Sequence, residues 1–281
     1  MKGKAMQETA KEPVARKPSR LFIFVLGIGI GVFLTLFIPY CVRTRAEALR
    51  LDCAQNMKQI LVALHSYHDK YETFPPAYIT DENGKPLHSW RVLILPHLGE
   101  EELYRQIRLD ESWDSEHNSR LHKQMPPVFC CPSDPQKQAR GETSYVWMIG
   151  EGHISNGTSC TKISQITDGT SNTAMIFETL EPVCWMAPVD ASIHSLFDPS
   201  FSGVKSIGSN HNNITNIGFA DGSVMTLYHP DLYLLKQLST IAGGEVFVCW
   251  LRSVDQTVTA APLVAHCQLK PRPYTFIGEY G

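Results

Sequence analysis

Leu21-Phe-Ile-Phe-Val-Leu-Gly-Ile-Gly-Ile-Gly-Val-Phe-Leu-Thr-Leu-Phe-Ile-Pro-Tyr40 is an apolar run without a single charge. At about 1.5 Å of helical rise per residue it reaches roughly 30 Å, the thickness of a bilayer core. A lone segment crosses lipid with its amides satisfied only as a helix. Residues 21–42 are therefore expected to form a transmembrane helix, kinked at Pro39 where it leaves the lipid. A cleaved signal peptide would have a shorter core and a small-x-small exit. Here the exit is Ile38-Pro39-Tyr40-Cys41, and Tyr40 stands where cleavage or lipidation at Cys41 wants a small residue. The run reads as an uncleaved anchor. Gly27 and Gly31 add a small-xxx-small pair suited to packing against another membrane helix.

Charge sets the expected topology. Residues 1–20 hold Lys2, Lys4, Lys11, Arg16, Lys17 and Arg20 against Glu8 and Glu12. The far flank offers Arg43, Arg45 and Arg50, offset by Glu47 and Asp52. The stronger basic cluster belongs inside. The expectation is a cytoplasmic tail over 1–20, a single span over 21–42 in the cytoplasmic membrane, and an extracytoplasmic domain over 43–281. The net charge of −3 divides into +4 on the tail and −7 on the rest, which leaves no basic face for nucleic acid.

From Arg43 onward the pattern turns amphipathic. Ala46, Leu49, Cys53, Met57, Ile60, Leu64 and Tyr67 recur every three or four residues, one face of a helix. Arg45, Arg50, Gln55, Lys58 and Lys70 lie mostly off that face. The pattern predicts a helix over about 43–71, ending before Phe74-Pro75-Pro76. No glycine-rich break separates it from the anchor, so one helix of about fifty residues is expected, half in lipid and half packed on a domain.

Beyond it the chain is punctuated by Pro, Gly and Asp. Ser89 to Pro96 reads as a strand or a short helix, Glu100 to Leu109 and Asn118 to Gln124 as short helices, and Pro126 to Pro135 as a constrained extended passage. Ser144 to Gly150 and Thr173 to Glu178 read as strands. Asn213 to Ala220 and Ser223 to Tyr228 flank Asp221-Gly222, the strongest short hairpin signal in the chain. Leu232 to Ile241 reads as a closing helix, and the tail after it as irregular.

Eight cysteines, seven of them on the domain over 43–281 expected to be exported, predict disulfides. The candidates are Cys53, Cys130, Cys131, Cys160, Cys184, Cys249 and Cys267. Cys160 with Cys184 and Cys249 with Cys267 make short loops, and Cys53 with Cys130 or Cys131 would tie the helix to the domain. Zinc ranks below disulfides because no Cys-x-x-Cys pair is present.

Several segments fall together in order. The first is Cys53-Ala-Gln-Asn56, with His65, His68 and Asp69 further along the helix and Phe74-Pro75-Pro76 after it. Cys131-Pro-Ser-Asp134, Thr143-Ser-Tyr145, Asp168-Gly169-Thr-Ser-Asn172 and Glu178 follow. The last is His211, nine residues, then Asp221-Gly222-Ser223. Over about residues 43–245 this set resembles the prepilin-like His-x9-Asp-Gly domain family, a planctomycete-type domain of unknown function that also carries a solute-binding label. The resemblance implies an α+β, type IV pilin-like or pseudopilin-like fold. In it a long N-terminal helix, part membrane and part packed, lies on an antiparallel sheet with loop-rich insertions. The sequence departs from a prepilin at its leader. No cleavage-site Gly stands directly before the apolar run, which follows Ser19-Arg20, and Val25 stands at its fifth position, where a prepilin has the Glu used in filament growth. The expectation is a membrane-fixed relative of the pilins.

The titratable constellations read blandly. His65, His68 and Asp69 at helical spacing supply at most three metal ligands and are expected to hydrogen-bond the adjacent domain. His211 and Asp221 lie ten residues apart on one chain segment, roughly 33 Å if extended, so a catalytic dyad is not expected. Asp168-Gly169 and Asp221-Gly222 are oxygen-rich loops with too little acid for an EF-hand; turn chemistry is expected, with calcium the weaker reading. No nucleophile elbow, Walker loop or His-Glu-x-x-His is present. The expected function is structural: a non-enzymatic, pilin-like or pseudopilin-like membrane component whose partners are lipid and other pilin-like or secretion-apparatus subunits, with no cofactor. The alternative is an extracytoplasmic carbohydrate- or solute-binding module using Trp113, Trp147 and Trp185 as exposed aromatics. N-terminal sequencing and intact mass of the membrane-extracted protein are expected to find the basic leader attached; a new terminus at the head of the apolar run would show processing instead.

Overall fold

Helix α1 spans Arg20–Tyr71, 52 residues, and stays helical through Pro39. The computed structural model describes residues 19–198, 200–211, 214–228, 231–243, 245–253 and 263–271. Two compact units divide between Arg45 and Ala46. In the first, the apolar side chains of α1 are exposed, Phe24, Ile28, Phe33 and Leu36 among them. Among the described residues α1 is the one helix long and apolar enough to cross a membrane, and a signal sequence near an N-terminus meets the same description.

In the second unit α1 buries Cys53, Met57, Ile60, Leu61 and Leu64, the stripe that the periodicity predicts with Leu61 added. Arg50, expected off this face, is buried instead. Its Nη1 donates to Thr226 Oγ1 at 2.7 Å and its head pairs with Glu47, so the charge is accommodated rather than exposed. The helix ends at Glu72, a non-glycine in the left-handed region at φ 59°, whose N–H returns to the His68 carbonyl at 2.7 Å.

A two-stranded ribbon follows, β1 (Tyr78–Thr80) with β2 (Pro86–Ser89). The ambiguous run after it is helical: α2 (Trp90–Leu93), capped by Ser89 Oγ, then a 3-10 turn at Leu95–Leu98. Next come α3 (Glu101–Gln106), a 3-10 turn at Asn118–Gln124, and α4 (Pro135–Arg140). Then come β3 (Glu142–Ile149), β4 (Ala174–Cys184), β5 (Ala191–Ser192) and α5 (Ile193–Phe197). The last elements are β6 (Ile214–Phe219), β7 (Val224–Tyr228), α6 (Leu232–Ser239), β8 (Glu245–Ser253) and β9 (Leu263–Pro271).

The class is α+β, and two expectations need correction. The large sheet runs β5-β3-β4-β6-β7-β9-β8, and it is mixed rather than antiparallel. β3-β4-β6-β7 pair antiparallel as expected, while β3–β5 and β7–β9 are parallel. The tail, expected irregular, supplies β8 and β9, in which Val246, Phe247, Val248 and Trp250 have the β-branched and aromatic character that suits a strand.

Side-chain alternation divides the core into two layers. Tyr145 and Trp147 of β3 face the cluster that contains Met57, Leu61, Trp90 and Phe129. Val146 and Met148 face the opposite cluster, with Leu196, Leu235 and Leu238 of α5 and α6. Between the layers Arg91 and Asp190 form a wholly buried ion pair at 2.7 Å. Burial pushes Asp190 up and Arg91 down, and their mutual attraction opposes both shifts. Asp190 Oδ1 also accepts from Trp147 N and Trp90 Nε1, while Arg91 donates twice to the Tyr145 carbonyl, and these bonds offset part of the cost of burying the pair.

The helix meets the sheet at Gly218 of β6. A Cβ there would stand 3.0 Å from Leu61 Cδ1 and 3.1 Å from Met57 Cγ and Sδ. Glycine is what lets α1 lie this close. Gly218→Ala is expected to lower stability by about 1–3 kcal/mol, read as a drop in the urea midpoint at constant slope, and Gly218→Val by more. An unchanged midpoint for both would show that the contact does not limit packing.

Candidate functional site

Four side chains from four separate segments converge beneath α1. Cys53 comes from the inner face of α1 and Cys131 from the loop before α4. Glu178 comes from β4 and His211 from the turn that precedes β6. All four are buried, and one ligand atom from each lies within 4.8 Å of the others. The Cys53 thiol donates to Glu178 Oε1 at 2.7 Å. Cys131 Sγ lies 3.1 Å from His211 Nε2, and His211 Nε2 lies 3.8 Å from Glu178 Oε1.

Each residue is held by its own surroundings. Tyr145 pairs directly with Glu178 across β3 and β4, so both reach the same face. Its hydroxyl donates to the Cys53 carbonyl at 3.1 Å and lies 3.0 Å from Cys53 Sγ. Glu178 Oε2 accepts the Asn216 N–H at 2.7 Å. Just beyond Glu178, β4 bulges away from β3, and the buried Lys137 caps the bulge by donating to the Thr179 and Glu181 carbonyls at 2.7 and 2.9 Å. Asn56 Nδ2 donates to the Cys130 carbonyl at 3.0 Å, and the Cys131 N–H donates to Ser144 Oγ at 3.0 Å; together they fix the cysteine loop. His211 Nδ1 faces Ser133 Oγ at 3.3 Å, and the His211 carbonyl accepts from the Ile214 N–H, which closes the turn.

The electrostatics follow from burial and crowding. Burial pushes the Cys53 thiol and the Tyr145 hydroxyl well up. Burial also raises Glu178 to about 7, against the pull of its bonds from Cys53 and Asn216. Cys131 is lowered, first by its interaction with Cys53 and then by His211, which outweigh its own burial. Burial pulls His211 down, and the bond and charge of Cys131 carry it above its ordinary value. Two sulfurs, an imidazole nitrogen and a carboxylate oxygen in this arrangement are a donor set for a soft or borderline metal. A surface groove of about 430 Å³, lined by Asn56, Pro127, Cys130, Cys131 and Pro132 among others, adjoins the cluster on the Cys131 side.

The remaining motif residues serve a different place. Asp221 and Gly222 form the hairpin turn: Asp221 Oδ1 accepts from the Ser223 N–H at 2.8 Å, and Gly222 takes φ 86°. A Cβ on Gly222 would meet His65 at 3.8 Å, so this turn lies against α1. His65 meets Phe74 edge-on, His68 packs against it at a tilt, and His68 Nε2 accepts the Ile163 N–H at 3.3 Å. The Asp221 N–H donates to the Thr170 carbonyl, Asn172 Nδ2 to the Asp168 carbonyl, and Asp168 Oδ2 accepts the Gly243 N–H at 2.6 Å. Gly169, at φ 94°, turns that loop. The Asp134 N–H donates to the Cys131 carbonyl.

Three expectations are corrected by this geometry. Cys41, Cys53, Cys130, Cys131, Cys160 and Cys184 are free cysteines, so Cys160–Cys184 and Cys53–Cys130 or Cys53–Cys131 are not bridged. Cys53 and Cys131 are engaged with Glu178 and His211, while Cys160 is exposed and Cys184 half-buried. Cys249 and Cys267 sit directly opposite each other in β8 and β9, and their side chains lie outside the described residues. Trp147 and Trp185 are wholly buried and stack on Trp90 and Phe129, so they are core residues rather than a sugar platform. The sequence named every member of the four-residue cluster as a motif position but not the cluster, because no local spacing joins them.

His211 and Asp221 share no bonding partner among the described residues. The stability losses of His211→Ala and Asp221→Ala are therefore expected to add within about 0.5 kcal/mol in a double-mutant cycle. A larger coupling would mean that the two motif ends act as one unit.

Neither the curated proteins nor the solved structures show a significant match to this chain. A family that also carries a solute-binding label does match, over a segment that holds Cys53, Asn56, His65, His68, Cys131 and Asp134 and stops short of Glu178 and His211. Residues 43–159 match the model of the family described as a protein of unknown function (DUF1559), the family that the ordered motifs resemble.

Proposed function

We propose that this protein is a membrane-anchored, pilin-like or pseudopilin-like structural component, with its domain outside the cytoplasmic membrane, that works through protein–protein contacts rather than catalysis. The observation that carries the reading is α1. One 52-residue helix is uncharged and apolar over 21–42, with its large apolar side chains exposed, and carries a core-forming stripe over its second half. A helix apolar all round needs lipid or protein about it, and a helix with one apolar stripe needs a folded domain. The two demands, met by one element, support an anchored domain.

The solute-binding label supports a second reading, and the groove of about 430 Å³ is within the size range of small-ligand sites. It is lined mostly by prolines, amides and cysteines, with no aromatic platform. A thermal-shift screen of the purified chain against sugars and other small solutes would favour this reading if any ligand raised Tm.

Cys160 is exposed and makes a direct test of topology. In intact cells a membrane-impermeant maleimide is expected to label the wild type and to label Cys160→Ser less. In-cell crosslinking is then expected to capture the chain with copies of itself or with other membrane-anchored subunits. Labelling only after lysis, or a strict monomer throughout, would overturn the reading.

A further inference from the structure

We propose that Cys53, Cys131, Glu178 and His211 bind one zinc ion that fastens α1 to the sheet and to the cysteine loop. The inference does not rest on the assembly reading above. Tetrahedral zinc holds sulfur at about 2.3 Å and nitrogen or oxygen at about 2.0–2.2 Å, which places ligand atoms roughly 3.3–3.8 Å apart. Cys53 to Glu178 at 2.7 Å and Cys131 to His211 at 3.1 Å would open, His211 to Glu178 at 3.8 Å would close, and all four ligand atoms already lie within 4.8 Å of one another, so shifts of under about 1 Å at these pairs reach that geometry.

The donors also fit the metal in kind. Two thiolates exclude calcium and magnesium, which want oxygen, and a four-donor set of sulfur, nitrogen and oxygen suits zinc. Two thiolates and one carboxylate against a divalent ion leave one net negative charge, far cheaper to bury than the same groups unscreened. The surrounding contacts are those of an oriented site. Ser133 Oγ at 3.3 Å from His211 Nδ1 turns Nε2 inward. The Asn216 N–H occupies Glu178 Oε2 and leaves Oε1 toward the centre. Four protein donors with no open position make the site structural rather than catalytic. The groove beside Cys131 supplies an entry path.

The test uses the full chain extracted in detergent without added metal or reductant. Elemental analysis is expected to find one zinc per chain, chelation to lower Tm, and zinc to restore it. Cys131→Ser and His211→Ala are expected to lose the metal, Ser133→Ala to bind it about 10–100-fold more weakly, and Cys160→Ser to keep it. Because the ligand variants can also misfold, wild-type protein stripped by chelator is titrated with cobalt. A thiolate-to-cobalt charge-transfer band saturating at one equivalent supports the site even if the protein is isolated without zinc. Peptide mapping that finds Cys53 and Cys131 joined as a disulfide would overturn the proposal. So would free thiols that take up neither cobalt nor zinc.

Discussion

The close approach of α1 to β6 at Gly218 is the contact on which the second unit depends. With no side chain at that position, Met57 and Leu61 lie directly on the sheet. That approach carries Cys53 within bonding distance of Glu178 and Tyr145, and it brings Arg50 against Thr226. Push the helix outward by the width of a methyl group and each of these bonds lengthens past usefulness. The apolar stripe supplies most of the attraction, and the missing Cβ sets the distance at which it acts.

Around that contact the fold assembles buried polarity in two places with different logic. Arg91 and Asp190 are a buried pair tied to β3, with Arg91 donating to the Tyr145 carbonyl and Asp190 Oδ1 accepting from Trp147 N and the Trp90 indole, and they hold α2 against that strand. The Cys53–Glu178–Cys131–His211 group is more concentrated, with four ionisable side chains and little apolar separation. Buried groups of this kind need either a shared network of protons or a cation. Burial first, and then Cys131 and Glu178, raise Cys53, while Cys53 and His211 lower Cys131.

Much of the fold was legible beforehand. The helical apolar run, the helix to Tyr71, the strand over Ser144–Gly150 and the hairpin at Asp221-Gly222 all follow from period and turn chemistry, which are local. The parallel pairing of β7 with β9 was not legible, because it joins segments that only the completed sheet makes neighbours. Arg50 was misplaced for a related reason: its partner Thr226 lies 176 residues away. Trp147 and Trp185 were read as exposed because an aromatic residue alone does not say which layer it fills.

The sequence alone determined the long apolar helix, the amphipathic stripe, the hairpin and the identity of every residue in the motif set, since each is written in neighbouring residues or in their order. Only the tertiary structure decided that Cys53, Cys131, Glu178 and His211 meet. It also decided that the cysteines meant for bridges lie beside a carboxylate and an imidazole. The physical reason is that a constellation is a property of where strands and helices pack. Four residues from four segments share no spacing until α1 settles over Gly218 and brings them under one roof.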